Sequence, residues 1–243
     1  KKEYLPTDLD IDTDALKEEI ISEISISNYE PSLPTLTLTK IEETWRQPLW
    51  LSSDGATLYG AMGGQLLQST DDWVTRVNIG AALPNTILAV RVAGDGQLLA
   101  ATVRDESTNT VAKVYKTIGY DRANPSVATF KEVLAINSTQ ANITNQWGFS
   151  VYNNIVTVSE YGLRGDNGAK NVYLSKDNGD TFSLIFNQYT QVVEGRPPLT
   201  QSAHMHTAAY DPYYNRIWVV VGDNPNTATY YSDDLGVTWT FVA

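Results

Sequence analysis

The chain contains no cysteine, which excludes a disulfide framework, thiolate metal sites and a cysteine nucleophile and leaves the redox compartment open. Basic residues are scarce: 17 Lys and Arg stand against 28 Asp and Glu, a formal net charge of -11. A surface of that sign repels phosphate backbones and anionic lipids, so no nucleic-acid partner is expected. Long apolar runs are missing as well. The longest, Ile217 to Val221, is far too short to span a bilayer, and the opening KKEYLPTDLD has no apolar signal core, so no membrane insertion is expected. There is no Gly-rich phosphate loop, no His-Glu-x-x-His helix and no Gly-x-Ser-x-Gly elbow. No cofactor is expected on that account.

What is present is a repeat. SKDNGDTFSL, from Ser175, and SDDLGVTWTF, from Ser232, both read Ser-x-Asp-x-Gly-x-Thr followed by an aromatic. Stepping back from Thr238 and Thr181 finds Thr129 and Thr75, a period of about 55 residues. The residues before each turn also match: QLLQS, AKVYKT, NVYLS and TYYS. Within each unit, alternating apolar residues read as short strands, with Asp54-Gly55 and Asp95-Gly96 suited to tight hairpins. With the strands on either side of the repeated turn, this makes four strands per unit. The fold class expected is all-β: a β-propeller of about four visible four-stranded blades.

The two turns resemble the Asp-box, or bacterial neuraminidase repeat, of sialidase-like propellers. In that reading Ser175, Asp177, Gly179, Thr181 and Phe182, and likewise Ser232, Asp234, Gly236, Thr238 and Trp239, are structural: the Asp accepts backbone N–H groups and the Gly supplies a positive φ. STDDWVTR at Ser69 is a poorer copy, with Trp73 for Gly and Arg76 for the aromatic, and the unit at Thr117 lacks the Asp and Gly in register. A sialidase would further need three arginines on a carboxylate, a tyrosine paired with a glutamate, and an acid. The Arg-Ile-Pro signal of that family is absent and WRQP at Trp45 is its nearest echo. No catalytic residue is assigned.

Residues 1–40 form a separate segment, followed by the propeller over 41–243. TDALKEEIISEIS places Leu16, Ile20 and Ile24 on one helical stripe opposite acidic residues. NYEPSLPTLTLTK then reads as an extended linker. A short helix of this kind needs a partner, either the propeller of its own chain or other subunits of an assembly, and the segment is expected to contact other subunits.

The long polar loops fall on the rim opposite the Asp-boxes, the usual place for a ligand on a rigid scaffold. The candidates there are Arg104, Trp147, Tyr161, Arg164, Arg196, His204, His206 and Asp223. His204 and His206, the only two histidines, stand at strand spacing and point the same way. With Asp223 they fall short of the third strong ligand a zinc site needs, so no metal is assigned and hydrogen-bonded histidines are expected. Trp147 and Tyr161 suit stacking on a sugar ring. The segment HMHTAAYDPYYNRIWVVVGD resembles repeat proteins of bacteriophage tails and bacterial surfaces. That resemblance implies a non-catalytic virion or surface-displayed module, located in a tail or fibre or at an extracellular surface, that contacts a host glycan. Two alternatives stand beside it: a sialidase-like glycoside hydrolase, and a soluble scaffold propeller that binds another protein.

Overall fold

The computed structural model describes residues 47–52, 55–105, 107–136, 141–143, 147–162, 170–191, 193, 204–222 and 227–242. All of them belong to Glu43–Ala243, the second of two units into which the chain divides. The helix and linker expected over residues 1–40 lie outside the described residues. The one helical turn among those described is a 3-10 turn at Pro125–Val127.

Each sequence unit forms its own antiparallel sheet, with strands in chain order. The first holds β1 (Gln47–Leu51), β2 (Leu58–Met62), β3 (Gln65–Ser69) and β4 (Val77–Ile79). The second holds β5 (Ile87–Val92), β6 (Leu98–Thr102), β7 (Lys113–Ile118) and β8 (Thr129–Ala135). In the third, β9 (Ala141–Ile143) and β10 (Phe149–Tyr152) pair with successive parts of β11 (Ile155–Gly162), followed by β12 (Asn171–Ser175) and β13 (Ser183–Asn187). The fourth holds β14 (Met205–Asp211), β15 (Arg216–Val221), β16 (Ala228–Ser232) and β17 (Thr240–Phe241).

The period-2 pattern explains how these sheets stack. Tyr59, Leu66, Val90 and Leu98 fill the space between the first and second sheets. Leu99, Val114, Phe149 and Val158 fill that between the second and third, and Leu174, Phe186, Ile217 and Tyr230 that between the third and fourth. Leu98 and Leu99, adjacent in β6, thus serve opposite interfaces because successive side chains point to opposite faces.

The repeated turns lock into these interfaces. Ser175 Oγ donates to Asp177 Oδ1 at 2.7 Å and accepts from the Gly179 N–H at 2.8 Å, while Asp177 accepts the Thr181 N–H at 3.0 Å and the Thr181 hydroxyl at 2.6 Å. The turn at Ser232 repeats this arrangement through Asp234, Gly236 and Thr238. Gly179 has φ +82°, and a Cβ there would lie 2.7 Å from Leu99 Cδ2 of the preceding sheet; Gly236, at φ +94°, stands equally close to Ile185. Phe182 packs against the apolar cluster between the second and third sheets. The Trp239 indole donates to the Ile185 carbonyl at 3.1 Å. The poorer copy folds the same way, with Trp73 held at φ 70°.

The propeller expectation is corrected here. The four sheets are separate and form no closed or curled ring. Contacts run β1 to β5, β5 to β10 and β10 to β14, and among the described residues no comparable contact joins the fourth sheet back to the first. The period counts units and strands, but closure depends on the angle between successive sheets, on which a linear pattern carries no information.

Candidate functional site

Up-and-down connection puts the β5–β6 and β10–β11 hairpins and the repeated turns at one end of the sheets. The hydrogen bonds agree: the Gly94 N–H donates to the Asn153 carbonyl at 3.0 Å and the Asn178 N–H to the Asn154 carbonyl at 3.0 Å. The other end gathers the starts of β12 and β14 and the ends of β11 and β13. Four of the residues picked out from the sequence meet there.

Tyr161, at the end of β11, stacks on His204 with ring centres 4.4 Å apart and planes 12° from parallel. His204 in turn lies 6.4 Å from His206 at 19°. The His206 ring is seated directly on Gly222, where a Cβ would fall 2.3 Å from its Cε1. The Gly222 N–H donates to the His204 carbonyl at 2.9 Å, which fixes the two histidines against the end of β15. Thr207 Oγ1 donates to the Trp147 carbonyl, tying the Trp147 backbone to the same strand. The Trp147 side chain is 72% exposed and Tyr161 39%. The result is a row of three flat rings, Tyr161, His204 and His206, at the end of the third and fourth sheets, a surface suited to stacking on a sugar.

Arg104 is one step removed: its N–H donates to Asn142 Oδ1 at 2.8 Å, and Asn142 pairs in register with Tyr161. Arg164, Arg196 and Asp223 lie outside the described residues. Among the described residues no three His, Cys, Asp or Glu side chains converge as metal ligands would.

Sequence reasoning missed the buried polar groups around this end. Glu160 belongs to β11 and is fully buried. Tyr173 donates to its Oε1 at 2.7 Å and Asn171 Nδ2 to both oxygens at 3.1 Å. Desolvation raises the Glu160 pKa, and the hydrogen bonds from Tyr173 and Asn171 offset this only in part. Burial also raises the Tyr173 hydroxyl, and the neighbouring Glu160 adds to it. Arg91 in β5 is 4% exposed, donates to the Phe149 and Val90 carbonyls at 2.7 and 2.8 Å, and lies 4.3 Å from the Trp50 ring centre. Burial pushes it down to about 10. The only advance signal was position: Glu160 shares the core-facing side of β11 with Val156 and Val158.

No family model matches the chain, and no curated protein matches it. Solved structures do. It is similar to the GH74 enzyme of Niastella koreensis, with TM-score 0.50 and 18% identity over 78% of this chain and 29% of that one. It is likewise similar to YCF48 in a complex with D1 peptide, with TM-score 0.50 and 12% identity over 85% of this chain and 57% of that one. The chain thus spans less than two thirds of either structure. These likenesses overturn two expectations: the fold is loosely related to that of a GH74 enzyme rather than identified with a sialidase-like propeller, and neither of these two structures lends support to the bacteriophage tail-module reading. At such identities the likeness is one of fold, an all-β architecture of several separate sheets.

Proposed function

We propose that this chain is a glycan-acting protein of the glycoside hydrolase kind, holding a sugar on the platform of Trp147, Tyr161, His204 and His206. The observation that carries the reading is the Tyr161–His204 stack at 4.4 Å, at the end away from the repeated turns. Aromatic faces bind the apolar C–H face of a sugar, and a platform on strand ends presents it at little entropic cost. The hydrolytic half of the reading is supported by the fold likeness to the GH74 enzyme. The platform itself carries the binding half.

Two measurements test the two halves. Soluble oligosaccharides titrated against the protein should change Trp147 fluorescence, and Tyr161→Ala should weaken that binding by about tenfold, the loss of one stacking contact. Reducing-end release from the same oligosaccharides should accompany binding. Absence of binding across neutral and acidic oligosaccharides would refute the platform, and binding without release would remove the hydrolytic half.

A further inference from the structure

We infer that the hairpin between β14 and β15, which carries Tyr213 and Tyr214, is a docking surface for an arginine-bearing segment of another protein. Tyr213 is 94% exposed and Tyr214 70%. They are adjacent at the tip of one turn, so two large rings stand in water side by side. Tyrosine and arginine are the residues that protein interfaces favour, and an exposed aromatic pair of this kind is an anchor without its partner. The platform occupies the start of β14 and the end of β15, so the hairpin that joins their other ends lies away from it. The two surfaces are independent.

The hairpin is ordered by its own hydrogen bonds. Asp211 pairs in register with Arg216 and closes it. Asp211 Oδ1 accepts the Tyr213 N–H at 3.0 Å, and the Tyr210 hydroxyl donates to Asn215 Oδ1 at 2.8 Å. Pro212 fixes one backbone angle, and Asn215 turns the chain at φ 50°. A backbone held in this way loses little freedom when a partner settles on it.

Charge selects the partner. Between His204 and Val242 the sequence has four aspartates and one basic residue, Arg216. Arg216 is already balanced, since its Nε and Nη2 donate to the Asp233 carboxylate at 2.6 and 3.0 Å. Asp211 in the hairpin and Asp234 in the adjoining repeated turn therefore leave this end of the fourth sheet negative, the same sign as the chain's net -11. Arg216 also shows how a guanidinium is held here: it lies 3.8 Å from the Tyr231 ring centre and 5.6 Å from that of Tyr214 while it pairs with a carboxylate. A partner's arginine on Tyr213 and Tyr214 repeats that combination of ring and acid. A neutral sugar would leave the negative charge unanswered, and an anionic lipid surface is repelled by it.

The test uses the full chain and a fluorescein-labelled Gly-Arg repeat peptide of about ten residues, at about 0.15 M salt so that distant charges are screened. A second peptide carries citrulline in place of each arginine, which keeps the planar group and removes the charge. Binding is read by fluorescence anisotropy. The arginine peptide should bind at least about tenfold more tightly than the citrulline peptide, and Tyr213→Ser combined with Tyr214→Ser should weaken it by about tenfold, the loss of two exposed cation–π contacts. Both rings are exposed, so the thermal midpoint should not change. Tyr213→Ser alone should show part of the same loss. These substitutions alter no charge. Equal binding by the parent and the doubly substituted chain would show that diffuse acidity attracts the peptide and would overturn the inference, as would equal binding of the two peptides or binding of neither. None of these outcomes bears on the platform, which oligosaccharide binding tests separately.

Discussion

Asp234 shows how much a single carboxylate contributes to a repeated turn. Its pKa is lowered from the ordinary 3.8 to about 2, first by the Thr238 hydroxyl and then by the Thr238 N–H, against an opposing desolvation. The folded form therefore binds its proton more weakly than the unfolded chain does. Its stabilisation is fully present above about pH 4 and is lost as pH falls through the folded value near 2. Asp234→Ala leaves the Thr238 and Val237 N–H groups without their acceptor, and because the turn is exposed we expect a loss of about 1–2 kcal/mol. Chemical denaturation at pH 7 and pH 2.5 checks this: the difference between variant and parent should shrink at the lower pH, and a difference independent of pH would exclude the carboxylate as its source. These turns were legible in the sequence because all their partners lie within four residues. The buried Glu160–Tyr173 pair was not, since its members lie 13 residues apart on neighbouring strands.

Elements meet through residues that the alternation pattern misassigns. Lys116 occupies in AKVYKT the place that Leu174 and Tyr231 hold in the matching strands, and it is 2% exposed at the seam of the second and third sheets. Its ammonium bridges Asp95 of the β5–β6 hairpin at 2.8 Å and Asp180 of the following repeated turn at 3.0 Å. Desolvation alone would lower the Lys116 pKa, but the two aspartates outweigh it and raise it. The two carboxylates keep 35% and 46% of their exposure and can return to water when the cation is removed. The stem's packing should therefore matter more than its charge. Lys116→Met should change stability by less than about 1 kcal/mol, whereas Lys116→Ala should cost about 2–4 kcal/mol by opening the seam. Equal losses for both variants, measured by urea denaturation, would show that the ion triad and not the filled volume holds these sheets together. A hydrophobic pattern reads such a lysine as a surface residue, which is why the strands could be located from sequence and the cross-sheet ties could not.

At the scale of the whole molecule, the fourth sheet carries aromatic and ionic contacts on the face that does not meet the third. Trp218 and Tyr231 pack at 5.4 Å on the face turned away from the third sheet, and the Arg216 guanidinium lies 3.8 Å from the Tyr231 ring centre while pairing with Asp233 at 2.6 and 3.0 Å. All three apolar interfaces lie within Glu43–Ala243, each joining only neighbouring sheets. We therefore expect a chain of residues 43–243 to fold without residues 1–42 and to unfold in one cooperative transition, because each inner sheet is buried on both faces and cannot leave alone. Circular dichroism and tryptophan fluorescence should give coincident thermal transitions, with Gly222-dependent seating of His206 retained in the NMR spectrum. Two separated transitions would show that the sheets unfold independently; a product that fails to fold would show that residues 1–42 complete one of the interfaces.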